Sequence, residues 1–117
     1  MISAMQSALS ALQAYGTKIH ANANNIANGA TEGYKQTRVI LATVEPGGVK
    51  AKADKLDTPG PNIYTETTDG LELIEQSNVE LSSELPQMML NSHYYTANLK
   101  SLQAANELLD NVLDLKA

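Results

Sequence analysis

The chain has 117 residues, with 13 acids against eight Lys and Arg, a net charge of -5, five Tyr, and no Cys, Trp or Phe. That length supports one compact domain, the missing Cys excludes disulfides and thiol chemistry, and the acidity argues against a general nucleic-acid surface. His20 and His93 alone do not make a zinc site, no run of about 18 apolar residues spans a membrane, and the N-terminus lacks the basic-then-apolar pattern of a cleaved signal peptide.

The first segment reads as a helix. Ile2, Met5, Leu9, Leu12, Gly16, Ile19, Ala23 and Ile26 recur at alternating intervals of three and four, which keeps one narrow stripe facing a partner helix. Gly16 and Ala23 thin that stripe, and Asn28-Gly29 is a helix stop in which Gly tolerates the left-handed conformation. The middle breaks the helical period. Arg38 to Val44 is a strand, Pro46-Gly47-Gly48 a turn, and Val49 to Asp54 alternates apolar and charged residues as an exposed edge strand does. Thr58 to Asn62 is a loop, and Ile63 to Thr67 with Leu71 to Glu75 form a hairpin around Asp69-Gly70. The last segment is again helical. Leu81, Leu85, Met88, Ser92, Tyr95, Leu99, Leu102, Asn106, Leu109 and Leu113 make its stripe, Ser82 or Ser83 caps its start, and Pro86 then falls near the first turn.

The fold expected is mainly α: long N- and C-terminal helices paired as an antiparallel coiled-coil-like hairpin, with a small β or extended middle segment. Residues 1–32, 33–78 and 79–117 would be parts of a single structural unit. Two helices bury one stripe, and each buried Leu or Ile contributes roughly 1.5–3 kcal/mol against about 1–2 kcal/mol of backbone entropy per ordered residue. Such a chain is marginal by itself. Met1 to Thr31 carries one charge, Lys18, and Leu85 to Asn106 carries one, Lys100. Solvated helix faces are usually more charged, so the small, polar backs are expected to pack on neighbouring chains.

Asn24-Asn25-Ile26-Ala27-Asn28-Gly29-Ala30-Thr31-Glu32-Gly33-Tyr34-Lys35 closely resembles the N-terminal signature of the bacterial flagellar axial proteins, the rod and hook subunits. Ser77-Asn78-Val79-Glu80-Leu81, Glu84-Leu85 and Tyr95-Thr96-Ala97-Asn98-Leu99-Lys100 resemble the same family's C-terminal part, in its order. The short middle makes the chain most like the small proximal-rod subunits; Pro86 and His93 depart from the family pattern. The resemblance implies a structural subunit of the basal-body rod, whose terminal helices polymerise into the axial drive shaft and export-channel wall. It also implies other rod subunits and the flagellar type III export apparatus as partners, and a place in the periplasm-spanning rod reached without a cleaved signal. The residues it singles out for subunit packing are Asn25, Ile26, Ala27, Asn28, Thr31, Gly33, Tyr34, Lys35, Asn78, Val79, Leu85, Tyr95, Ala97, Asn98 and Lys100.

The residues themselves agree with a joint. The Asn side chains bond to local backbone, Gly29 and Gly33 permit sharp turns, Thr31 braces the turn, and Tyr34 has a flat apolar face with a polar tip. No nucleophile–base pair or phosphate loop is present, so no enzyme and no cofactor are expected. The acids from Glu66 to Glu80 lack the ligand spacing of a calcium loop, which makes them a solvated face. Met88 and Met89 read as packing residues, and Lys50, Lys52 and Lys55 as edge protection. The competing reading is a soluble coiled-coil adaptor or export chaperone that binds a partner helix; the scarcity of Lys and Arg on the helices opposes membrane-surface binding.

Overall fold

The computed structural model describes residues 2–117. Six elements follow in order: α1 (Ile2–Ala27), β1 (Thr37–Thr43), β2 (Val49–Lys55), β3 (Asn62–Thr67), β4 (Gly70–Glu75) and α2 (Leu81–Lys116). The strands form two separate antiparallel hairpins, β1–β2 and β3–β4. The molecule is extended, 80 × 23 × 20 Å. The 36 residues of α2 account for about 54 Å of that length at 1.5 Å per residue. The remainder matches β3–β4, whose six-residue strands reach about 20 Å and pack on no other helix or strand.

The two helices pack on each other along their length. Leu81 lies over Gly29, Asn22 bonds Asn91, Tyr15 stacks on Tyr94 at 5.2 Å between ring centroids, and Ile2, Met5 and Leu9 share a groove with Leu102 and Leu109. As the position on α1 falls, its partner on α2 rises. On α1 the predicted stripe is covered in part: Leu12 is buried and Met5, Gly16, Ile19 and Ile26 are half-buried, whereas Ile2, Leu9 and Ala23 are exposed. On α2 the stripe is rotated by one residue at every other position. Met88, Leu102 and Leu109 turn inward as the spacing predicts, but Glu84, Asn91, Asn98 and Ala105 replace Leu85, Ser92, Leu99 and Asn106. Polar pairing with α1 causes the rotation. Asn22 holds Glu84 and Asn91 inside, which leaves Leu85, Met89 and Leu99 on the flank, all more than a third exposed.

The back of α1 does not wait for a neighbouring chain, which corrects the sequence expectation. Its small face carries the β1–β2 hairpin of the same chain. Thr37, Val39 and Leu41 of β1 and Val49 and Ala51 of β2 turn toward it, while Arg38, Ile40, Lys50 and Lys52 turn away. Ala14 and Ala21 are buried beneath, where larger side chains would lift the hairpin. Ser10 fastens the hairpin's far end, its hydroxyl accepting from Val49 N–H at 3.1 Å and donating to the Ser7 carbonyl at 2.8 Å.

Two helix ends differ from the sequence reading. α2 begins at Leu81 with Glu80 before it in an extended conformation, and no side chain caps it. Neither Ser82 nor Ser83 is the cap; the Glu80 carbonyl receives the Ser83 and Glu84 N–H groups. Pro86 is therefore the sixth helical residue, and the carbonyl it leaves without a helical donor belongs to exposed Ser82, where water serves. α1 does end before Asn28, but Gly29 is not left-handed; the positive-φ glycines are Gly33, Gly48 and Gly70. The Asn28 side chain instead donates to the Asn24 carbonyl at 2.8 Å and closes the last turn.

Candidate functional site

The end of α1, the bases of both hairpins and the start of α2 meet in one joint, and its bonds come mainly from two asparagines. Asn25, 1% exposed, docks β1 on α1. Leu56 N–H donates to the Gln36 carbonyl, so residues 36 and 38 face β2 in the ladder and the Thr37 backbone groups face away from it. The Asn25 amide takes both of them. Its Nδ2 donates to the Thr37 carbonyl at 2.8 Å, and its Oδ1 accepts the Thr37 N–H at 2.9 Å. One side chain thus stands in for a third strand. The Tyr34 hydroxyl donates to the same Oδ1 at 3.1 Å, and the Lys55 ammonium lies over the Tyr34 ring, 4.8 Å from its centre.

Asn78 ties the other side. Its Oδ1 accepts from Gln36 N–H at 2.6 Å, and its Nδ2 donates to the Leu56 and Thr58 carbonyls at 2.8 and 2.9 Å. The Asn78 N–H donates to the Tyr34 carbonyl. The segment entering α2 is thereby bonded to both strands of the first hairpin where they leave α1. Lys35 adds an ion pair with Glu75 at the base of β4, and also donates to the Thr58 carbonyl. Glu75 accepts the Gly60 N–H as well, and the Gly33 N–H donates to the Glu75 carbonyl.

Beneath the joint sits a buried polar cluster. Glu84 is 1% exposed and accepts from Asn22 Nδ2 at 2.7 Å and from Gln36 Nε2; Asn22 in turn accepts from Asn91. Burying a carboxylate is costly unless its oxygens are bonded, and among the described residues no buried side-chain polar atom lacks a partner. Such a network gives little net stability but fixes one register between helices that share few large apolar contacts.

The signature residues divide by location. Asn25, Gly33, Tyr34, Lys35 and Asn78 converge in the joint. Asn28 and Thr31 bond to each other at 3.1 Å in the turn after α1, Ile26 is half-buried, Ala27 is exposed, and Val79 donates its N–H to the Ser77 hydroxyl. Leu85, Tyr95, Ala97, Asn98 and Lys100 are spread along α2. Of these, Tyr95 lies against Gly16, and Asn98 bonds within its own helix to the Tyr94 carbonyl. The sequence reading missed Asn22, Gln36, Glu75 and Gly60, and it placed Glu84 in the family's C-terminal pattern without assigning it a role. Glu84 carried a legible signal: it is the one acid between Leu81 and Asn106.

Lys35, the Gly60 N–H and the ion-pair field hold the Glu75 carboxyl below the usual carboxylate range, against a smaller opposing effect of burial. A depressed folded-state pKa stabilises above the unfolded pKa and loses that contribution as pH falls through the folded one. The base of β4 is therefore expected to loosen in acid. Lys35→Met should flatten the acid side of a plot of melting temperature against pH below about 5, and an unchanged slope would remove the ion pair from the account.

Among the described residues no group of His, Cys, Asp and Glu can hold a metal ion, and no helix is long and apolar enough to cross a membrane. Residues 72–115 match the model of the flagellar basal body rod FlgEFG protein C-terminal family. The match runs from the third residue of β4 to the penultimate residue of α2. No curated protein matches the chain.

Proposed function

We propose that this chain, whose residues 72–115 match the C-terminal model of the flagellar basal body rod family, is a small structural subunit of the rod that polymerises through its terminal helices. In this reading the helices pair as an antiparallel coiled-coil-like hairpin, and residues 1–32, 33–78 and 79–117 act as one structural unit. The polymer is the wall of the drive shaft and of its central export channel. The other rod subunits and the flagellar type III export apparatus are the partners, and the periplasm-spanning rod, reached without a cleaved signal, is the location. The joint sets the angle at which both hairpins leave the helix pair, and hence where they meet the next subunit. The signature residues in the joint serve that angle, and Leu85, Ala97 and Lys100, exposed along α2, serve the contacts between subunits.

The observation that carries this reading is uncovered surface. The chain exposes 8240 Å², whereas a compact monomer of its 12.5 kDa exposes about 6200 Å². The excess, about 2000 Å², is more than the total area of a standard specific interface, about 1600 Å². Much of it is apolar and lies on α2, including Leu85, Met89, Leu99, Leu108 and Leu113. A soluble adaptor is the second reading. It is favoured by the groove of about 370 Å³ between Ile2, Met5, Leu9, Leu102 and Leu109, which suits a partner helix.

Sedimentation velocity over a hundredfold range of concentration separates the two. A polymerising subunit is expected to give open-ended growth from a monomer whose helix ends are cut by protease. One discrete oligomer with protected ends, and no growth beyond it, would sink the rod reading and favour the adaptor.

A further inference from the structure

We propose that the β3–β4 hairpin of one copy docks on the outer face of the β1–β2 hairpin of a second copy, as a head-to-tail contact. The inference rests on the polymerising reading and specifies one of its interfaces.

The two hairpins are complementary and do not meet within the chain. β3–β4 carries Glu66, Asp69, Glu72 and Glu75 and no cation. In its register Tyr64 faces Leu73 and Glu66 faces Leu71, so these four side chains share one face. Tyr64 and Leu71 are 75% exposed and Leu73 is 52% exposed. An isolated two-stranded hairpin is marginal in water, and this one rests on no other element of its own chain. The opposite patch is on β1–β2. Ile40 pairs with Lys52 and Ala42 with Lys50, so the outer face has an exposed apolar centre flanked by Lys50, Lys52 and Arg38. Its single acid, Asp54, lies 3.9 Å from Lys52. An apolar ridge bordered by Glu66 and, at the turn, by Asp69 thus has a basic face with an apolar centre as its counterpart, and opposite potentials steer and register such contacts.

The placement of the hairpins makes the contact intermolecular. β1–β2 lies back along α1, from Thr37 bonded to Asn25 down to Val49 bonded to Ser10. β3–β4 leaves the joint without touching either helix. A protruding patch and a lateral patch on one molecule form a heterologous contact, which propagates instead of closing at a dimer unless its rotation happens to close a ring.

Charge swapping tests this on the full chain at low ionic strength. Lys50→Glu with Lys52→Glu, and separately Glu66→Lys with Asp69→Lys, are each expected to weaken self-association about tenfold or more. All four side chains are exposed, so folding should survive; circular dichroism checks it. Mixing the two variants should restore association, because each then supplies the charge that the other's hairpin needs. A chain without Cys permits a second readout: Ile40→Cys and Tyr64→Cys proteins, mixed and oxidised, should cross-link to each other faster than either does to itself. If the wild-type chain polymerises and both charge variants polymerise equally well, the hairpin contact is wrong and the rod reading stands. If the wild-type chain stays monomeric at every concentration, both fall.

Discussion

Asn25→Ala is expected to destabilise the chain by about 3 kcal/mol, the largest loss from any single side chain of the joint. The substitution removes three hydrogen bonds and leaves both outward-facing backbone groups of Thr37 without a protein partner. An unsatisfied buried polar group costs about 1–3 kcal/mol, and less where water reaches it. A loss of that size lowers the melting temperature by roughly 10–15 °C in a domain of this length. Asn25→Asp is the informative companion. It keeps the acceptor for Thr37 N–H but turns a second oxygen toward the Thr37 carbonyl, so it should be nearly as harmful. A loss below about 1 kcal/mol for both would mean that the hairpin stays on α1 by apolar contact alone.

Gly60→Ala is expected to be as severe for a different reason. A Cβ at this position would lie 2.0 Å from the Gln76 carbonyl oxygen and 3.0 Å from the Ser77 carbonyl carbon. Both are backbone atoms, so no side chain can swing aside. The strands at the base of β3–β4 must part, with loss of the Gln76 N–H bond to the Pro61 carbonyl and of the Gly60 N–H bond to Glu75. The cost should reach about 3 kcal/mol, the upper range for overpacking, and amide exchange should accelerate first at Gly60 and Gln76. Gly33→Ala is the control. Gly33 has φ +66° and open space around it, so its cost is conformational, about 1–2 kcal/mol. Equal effects of the two substitutions would contradict the close approach at Gly60.

Gly60 also shows where sequence reading stops. Thr58-Pro59-Gly60-Pro61-Asn62 reads correctly as a loop, and any Gly there could serve flexibility. The need for Gly at position 60 arises from Gln76, sixteen residues later, and no local pattern encodes that approach. Asn25 is an intermediate case. Its place in an Asn-rich run marks a joint, and the sequence reading assigned such residues to helix ending. Asn28 does that; Asn25 instead reaches across to a strand twelve residues on. The two are alike in type and differ in which side of the helix they face.

The elements themselves follow from local pattern. Alternation at three and four residues marks α1 and α2, alternation at two marks β2, and Pro-Gly-Gly and Asp-Gly mark the turns; each element of the middle lies within one residue of its expected bounds. These are properties of short stretches, set by backbone geometry and turn chemistry. The tertiary structure decided which face of each helix is inside. On α2 the larger stripe of Leu85, Ser92 and Leu99 lost to Glu84, Asn91 and Asn98, because Asn22 and Gln36 satisfy buried polar groups there. On α1 the small back was taken by the β1–β2 hairpin, because Asn25 and Ser10 hold its two ends. Periodicity marks a face as able to pack, but the partner that bonds to it depends on residues far away in the chain.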